Sequence, residues 1–228
     1  DLVIRENESR AESEKKLYVM FDQIYWQLTY GSTVHHNPVS IRPELKPYVI
    51  FIDGISKCFA ATGVRVGWAM GPAAIIGKMK AILTHVGAWA PMAEQKAVAN
   101  YLTNFASIDN YIAGFKNEIE QRLQSIHAGL QNLKQKGFPV DSIAPEAAIY
   151  LTIKVDLAGK KTKDGKQLED QAAVTAYLLD AAGLAIVPFY AFGTDKNSPW
   201  YRLSVGTCKK EEIAEMLTKL EGALKAVN

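Results

Sequence analysis

The sequence predicts an α/β chain built in two lobes. Short apolar runs that stop at polar residues or glycine read as buried strands in the first half. Helical spacing follows them, and one helical pattern is too long for a single small core. Beyond it, strands and helices alternate again.

The elements follow in order. Residues 1–16 are rich in Glu, Arg and Lys and read as a helix end and a solvated turn. Leu17 to Phe21 is a short apolar and aromatic run, a buried strand that stops at Asp22. Residues 31–47 hold three prolines and are expected to be mostly loop. Tyr48 to Ile52 is a second buried strand, ending before Asp53-Gly54, and Val66 to Met70 a third, closed by Gly71-Pro72. Ala73 to Val86 and Pro91 to Phe105 show helical spacing. The longest pattern places Ile108, Tyr111, Ile112, Phe115, Ile119, Leu123, Ile126, Leu130 and Leu133 on one helix face, with Gly137 and Pro139 as stop signals. Such a helix spans roughly 40 Å and reads as a strut between lobes. In the second lobe, Ala147 to Val155 alternates like a half-buried strand, and 157–170 is a charged loop or hairpin tip. Residues 171–182 are helical, Leu184 to Val187 and Tyr201 to Val205 are strands, and Lys209 to Lys225 is a closing amphipathic helix.

Composition narrows the function classes. A chain of 228 residues with 48% hydrophobic residues is ordinary for a globular protein. Its 26 basic and 24 acidic residues leave a formal charge of +2, which gives no support for a nucleic-acid or membrane-surface partner. Two cysteines make a disulfide framework an unfavoured reading, and a cytoplasmic protein is expected. The chain opens Asp1-Leu2-Val3 with no initiator methionine, which leads us to expect a fragment, a processed form or a truncated form.

The chemistry-bearing residues cluster by order. Asp22 and Tyr25 directly follow one buried strand, and Lys57 follows the next. Ligands in open α/β sheets gather outside the carboxyl ends of strands, so a carboxylate, a phenol and an amine are expected in one place. Arg65 comes eight residues after Lys57, in Thr62-Gly63-Val64-Arg65-Val66-Gly67. Its glycines permit a tight turn and close backbone approach, and its planar fork suits a phosphate. Each residue also has an ordinary reading: a strand-end carboxylate, a core aromatic, a solvated lysine, a structural ion pair. The ordered set is what argues for function. His35 and His36 read as loop residues and Cys58 as packing.

That set, Asp-x-x-Tyr followed by Ser-Lys and then Gly-x-Arg-x-Gly, resembles the signature of the fold type I pyridoxal-phosphate-dependent aminotransferases, the aspartate aminotransferase superfamily. The likeness continues through Ala148-Ile149-Tyr150-Leu151, the stretch from Leu178-Leu179 through Val187-Pro188 to Ala191-Phe192-Gly193, and Tyr201-Arg202-Leu203-Ser204. It covers essentially the whole chain and identifies it with the carboxy-terminal part of that family. The resemblance implies a large domain with a mainly parallel sheet over 1–107, a connecting helix over 108–137, and an α+β small domain over 138–228.

The same resemblance implies roles. Lys57 would carry pyridoxal 5'-phosphate as a Schiff base and move the substrate's α-proton. Asp22 would pair with the pyridine nitrogen, Tyr25 with the ring's phenolic oxygen, Arg65 with the phosphate, and Arg202 with the substrate α-carboxylate. The implied reaction moves an amino group between an amino acid, aspartate or one similar to it, and a 2-oxo acid, in a homodimer. The family's glycine-rich loop, stacking aromatic and asparagine lie upstream of this stretch, so the chain by itself is expected to be incomplete and inactive. Gly54 stands where the family often has a phosphate-binding serine, and Phe189 follows Pro188 where the family commonly has glycine. A pyridoxal-phosphate lyase or synthase on the same scaffold, and an aminotransferase-like domain of a transcription regulator, are the alternative readings.

Overall fold

A parallel pair of short strands organises the first of two structural units. The computed structural model describes all 228 residues, and they divide into Asp1–Ala113 and Gly114–Asn228.

In the first unit, α1 (Leu2–Ser9) is followed by β1 (Val19–Asp22). The buried Asn7 side chain donates to the Leu17 carbonyl at 2.8 Å and accepts from its N–H at 2.7 Å, so it steers the chain into β1 as a strand partner would. The segment expected to be loop contains α2 (Pro38–Ile41) and a 3₁₀ turn (Pro43–Tyr48). The prolines favour these turns: Pro38 opens α2 beneath an Asn37–Ser40 capping box, and Pro43 opens the 3₁₀ turn.

β2 (Val49–Gly54) pairs parallel with β1, and β3 (Gly67–Met70) pairs antiparallel with β2, giving the order β1-β2-β3. β2 runs through Asp53 and Gly54, beyond the expected end at Ile52, because Gly54 lies opposite Gly67 and pairing continues to that point. α3 (Ala73–Val86) ends on Gly87 in the left-handed conformation.

The helix expected over 91–105 is two. α4 (Met92–Tyr101) stops, and the Asn104 side chain accepts from Ser107 N–H at the start of α5 (Phe105–Gln135). Ile55, Val66 and Val98 form a buried cluster, with Phe59, Trp68 and Leu102 packed on it. The boundary between units falls within α5.

In the second unit the face of α5 carrying Ile119, Leu123, Ile126, Leu130 and Leu133 is buried. The sheet order is β4-β5-β7-β6 with every pairing antiparallel. Its strands are β4 (Val140–Ser142), β5 (Tyr150–Val155), β6 (Val187–Pro188) and β7 (Trp200–Ser204). β5 alternates as its sequence predicts, with Leu151, Ile153 and Val155 inward. β4 was not expected, since three residues are too short to show a period. The strand expected over 184–187 shrinks to β6. Its first residue belongs to the end of α6 (Gln171–Ala182), where Gly183 turns left-handed and Leu184 N–H donates to the Leu178 carbonyl. The charged stretch is a hairpin tip, bridged Lys161 to Gln167. A 3₁₀ turn (Lys210–Glu212) precedes α7 (Ile213–Lys225), and Tyr177 Oη on α6 donates to the Ala223 carbonyl of α7 at 2.7 Å. No helix is long and apolar enough to cross a membrane.

Candidate functional site

The carboxyl ends of β1 and β2 lie side by side because the two strands are parallel, in register Asp22 to Ile52. Gln23 N–H donates to the Ile52 carbonyl at 3.0 Å and carries that pairing one residue further. The turn after β1 and the turn after β2 therefore start from one sheet edge. β3 runs the other way, so its beginning also lies at this edge, and Arg65 enters from there.

Two of the predicted residues meet directly. Lys57 Nζ stands over the Tyr25 ring, 6.0 Å from its centroid, at the outer limit of a cation–π contact. Both are half-buried. Cys58 Sγ donates to the Ile24 carbonyl at 3.1 Å and ties the lysine turn to the Tyr25 turn. Burial raises the Cys58 thiol above its ordinary range, so it is a packing thiol, as its sequence position suggests. Asp22 is exposed at the end of β1, and its carboxylate accepts from Ile24 N–H at 3.1 Å, which holds the turn leading to Tyr25.

The turn between Lys57 and Arg65 is tight. Ala60 N–H donates to the Lys57 carbonyl, and Thr62 Oγ1 donates to the Ser56 carbonyl at 3.0 Å. Ala60 and Arg65 both adopt positive φ, 49° and 61°, which costs a residue with a Cβ of order 1–2 kcal/mol. Arg65 is exposed. Its Nη1 donates to the Thr62 carbonyl at 2.9 Å, and the side chain borders a cleft shared with Trp68, Lys80 and Trp89. Of the two glycines in this motif, Gly67 is the one that strand pairing requires. A Cβ on Gly67 would lie 3.0 Å from the Asp53 carbonyl oxygen, whereas nothing lies within 4 Å of one on Gly63.

Arg202 belongs to β7 in the second unit. Its guanidinium carbon lies 4.4 Å from the ring centroids of both Tyr150 and Phe192. Two aromatic faces hold the planar group in one orientation, an arrangement suited to a bidentate partner. Register explains it: Arg202 lies opposite Thr152 on β5 and Val187 on β6.

Sequence reasoning passed over Asp53. It is 8% exposed, accepts from Trp26 Nε1 at 3.0 Å and from Gly54 N–H at 2.7 Å, and thereby joins β2 to the turn after β1. Burial raises its carboxyl above the usual range, and the Gly54 and Trp26 donors offset part of that rise. The only sequence signal was an acid next to glycine at a strand end, which ordinarily marks a turn.

Comparison with known proteins adds to this geometry. The profile of the family described as aminotransferase class I and II matches residues 10–220. The chain is 31% identical over 206 residues to a "Probable aspartate/prephenate aminotransferase" of Rickettsia bellii, covering 90% of this chain and 49% of that protein. It is 30% identical to an aspartate aminotransferase of Streptomyces avermitilis, covering 94% and 50%. The crystal structure of the aspartate aminotransferase from Rhizobium meliloti superposes with a TM-score of 0.81 at 25% identity, over 93% of this chain and 51% of that one. The chain thus spans about half the length of the curated relatives it matches.

Proposed function

Because this chain belongs to the aminotransferase class I and II family, we propose that its residues serve a pyridoxal-phosphate-dependent transfer of an amino group between an amino acid and a 2-oxo acid. The observation that carries the reading is the Lys57 amine standing over the Tyr25 ring at the carboxyl edge of a parallel strand pair. Aspartate or a similar amino acid is the donor we favour, in keeping with the names of the relatives.

The donor set suits that cofactor. An amine that can hold an aldehyde carbon, a carboxylate, a phenol and a guanidinium all leave from one sheet edge. When bound, the cofactor supplies the aldehyde and a protonated ring that withdraws electrons. In this reading Lys57 Nζ would hold the cofactor through its aldehyde carbon, and the same amine is the group that would take and return the proton at the substrate α-carbon. The Asp22 carboxylate would pair with the ring nitrogen and keep its proton in place. Tyr25 Oη would donate to the phenolic oxygen, and Arg65 would bind phosphate oxygens with its fork. Arg202 takes the substrate α-carboxylate, held ready between Tyr150 and Phe192.

The reading includes a homodimer, supported by apolar side chains exposed on the first unit, among them Ile82, Val86 and Met92. The test, made on the full-length protein, is amino transfer from aspartate to a 2-oxo acid, followed as oxaloacetate, together with borohydride trapping and peptide mapping of bound pyridoxal phosphate. The label should fall on Lys57, and Lys57→Ala should abolish both label and turnover. Near wild-type turnover in that variant overturns the assignment.

A further inference from the structure

Asp53 is a buried acid that the proposed chemistry does not use. It lies in β2, four residues before Lys57. Backbone pairing between β1 and β2 ends where Gln23 N–H donates to the Ile52 carbonyl. Beyond that point side chains tie the two turns together. One Asp53 oxygen accepts from Trp26 Nε1 at 3.0 Å, and the other from Gly54 N–H at 2.7 Å. Trp26 directly follows Tyr25, and its backbone N–H closes the turn onto the Gln23 carbonyl at 2.8 Å. On the other side of Tyr25, the Ile24 carbonyl accepts from Cys58 Sγ at 3.1 Å. Tyr25 is thus bracketed by two residues held from the segment that delivers Lys57.

We propose that Asp53 is a positioning residue for the Lys57–Tyr25 pair, holding the Trp26 indole, and with it the Tyr25 turn, against the end of β2. Of the two ties this is the stronger. A carboxylate acceptor makes hydrogen bonds roughly twice as strong as neutral ones, whereas a thiol is a weak donor. Trp26 is 40% exposed, so the bond to Asp53, rather than full burial, fixes its ring. Each Asp53 oxygen serves a different donor, so a side chain with one oxygen cannot satisfy both. When the tie is lost, the Tyr25 ring is free to leave the Lys57 amine that stands over it. The effect on cofactor binding and turnover rests on the amino-transfer reading above.

The test uses two variants of the full-length protein. Trp26→Phe keeps an aromatic ring and removes the indole donor, and Asp53→Asn leaves one acceptor oxygen for two donors. Trp26 is exposed, so its variant tests the tie even if Asp53→Asn unfolds. In cofactor-free protein, competitive acetylation by acetic anhydride with peptide mapping reads the Lys57 amine directly. Relative to Lys134 of the second unit, Lys57 should label at least about twofold faster in each variant than in the wild type. Affinity for pyridoxal phosphate, by equilibrium dialysis, should fall at least about threefold. In the aminotransfer assay kcat should fall while KM for the amino acid stays within about twofold, since Arg202 is untouched. The double variant should lose no more than Asp53→Asn alone, because both act through one bond. A merely structural tie would lower the urea midpoint and leave Lys57 acetylation at the wild-type rate. That unchanged rate in Trp26→Phe overturns the proposal, as does unchanged cofactor affinity in a protein whose wild type is labelled at Lys57. Absence of that label in the wild type counts against the amino-transfer reading, and the acetylation rates still decide the role of Asp53.

Discussion

Gly54 and Gly67 face each other across β2 and β3 so closely that a Cβ on Gly54 would lie 3.0 Å from the Gly67 Cα and 3.0 Å from the Val66 carbonyl oxygen. This approach brings the start of β3, and Arg65 just before it, to the edge from which Lys57 leaves.

Replacing Gly67 by alanine should therefore strain the strand pair. Its Cβ would meet the Asp53 carbonyl oxygen at 3.0 Å, backbone that cannot swing aside. We expect a loss of about 1–3 kcal/mol, measured as a lowered urea midpoint. Gly63→Ala, with open space around its Cβ, should stay within about 0.5 kcal/mol of the parent.

Asp141 gives the second unit an acid-sensitive tie. The Lys134 ammonium at 2.6 Å and the Gln131 amide at 2.9 Å hold its carboxyl down to about 2. A depressed carboxyl stabilises the fold above the unfolded value of about 3.9, and that contribution is lost as pH falls towards 2. The pair is partly exposed, so Asp141→Asn should cost at most about 1 kcal/mol at neutral pH. Urea titrations should show the gap between variant and parent closing from pH 5 down to pH 2.

Arg202→Lys keeps the charge and loses the flat fork between Tyr150 and Phe192. In the aminotransfer assay KM for the amino acid should rise at least about tenfold, with circular dichroism unchanged. An unchanged KM would remove Arg202 from the carboxylate role.

Tyr25→Phe leaves a ring beneath the Lys57 amine and removes only the hydroxyl. One hydrogen bond to the cofactor, about 0.5–1.5 kcal/mol, should be lost. Equilibrium dialysis of pyridoxal phosphate should then show a several-fold weaker affinity, while trapping still maps to Lys57.

Much of this was legible in the sequence. β1, β2 and β3 stand within a few residues of their apolar runs, and Phe105–Gln135 follows the spacing from Ile108 to Leu133. Periodicity reports local geometry, because neighbouring residues set which face an element buries. The ordered motif from Asp22 to Arg65 could likewise be read in line, since its spacing reflects turns of fixed length after strands.

Other features were decided only in three dimensions. Leu184 reads as strand, yet it closes the end of α6 because Gly183 turns the chain back onto Leu178. Asp53 reads as a turn residue, yet it is buried and bound by the Trp26 indole, 27 positions away in sequence. The antiparallel direction of β3, which returns Arg65 to the Lys57 edge, is written in no local pattern. Pairing direction and burial depend on contacts between residues remote along the chain. The sequence by itself thus determined the order and spacing of the candidate residues from Asp22 to Arg65, and the tertiary structure decided which of them meet.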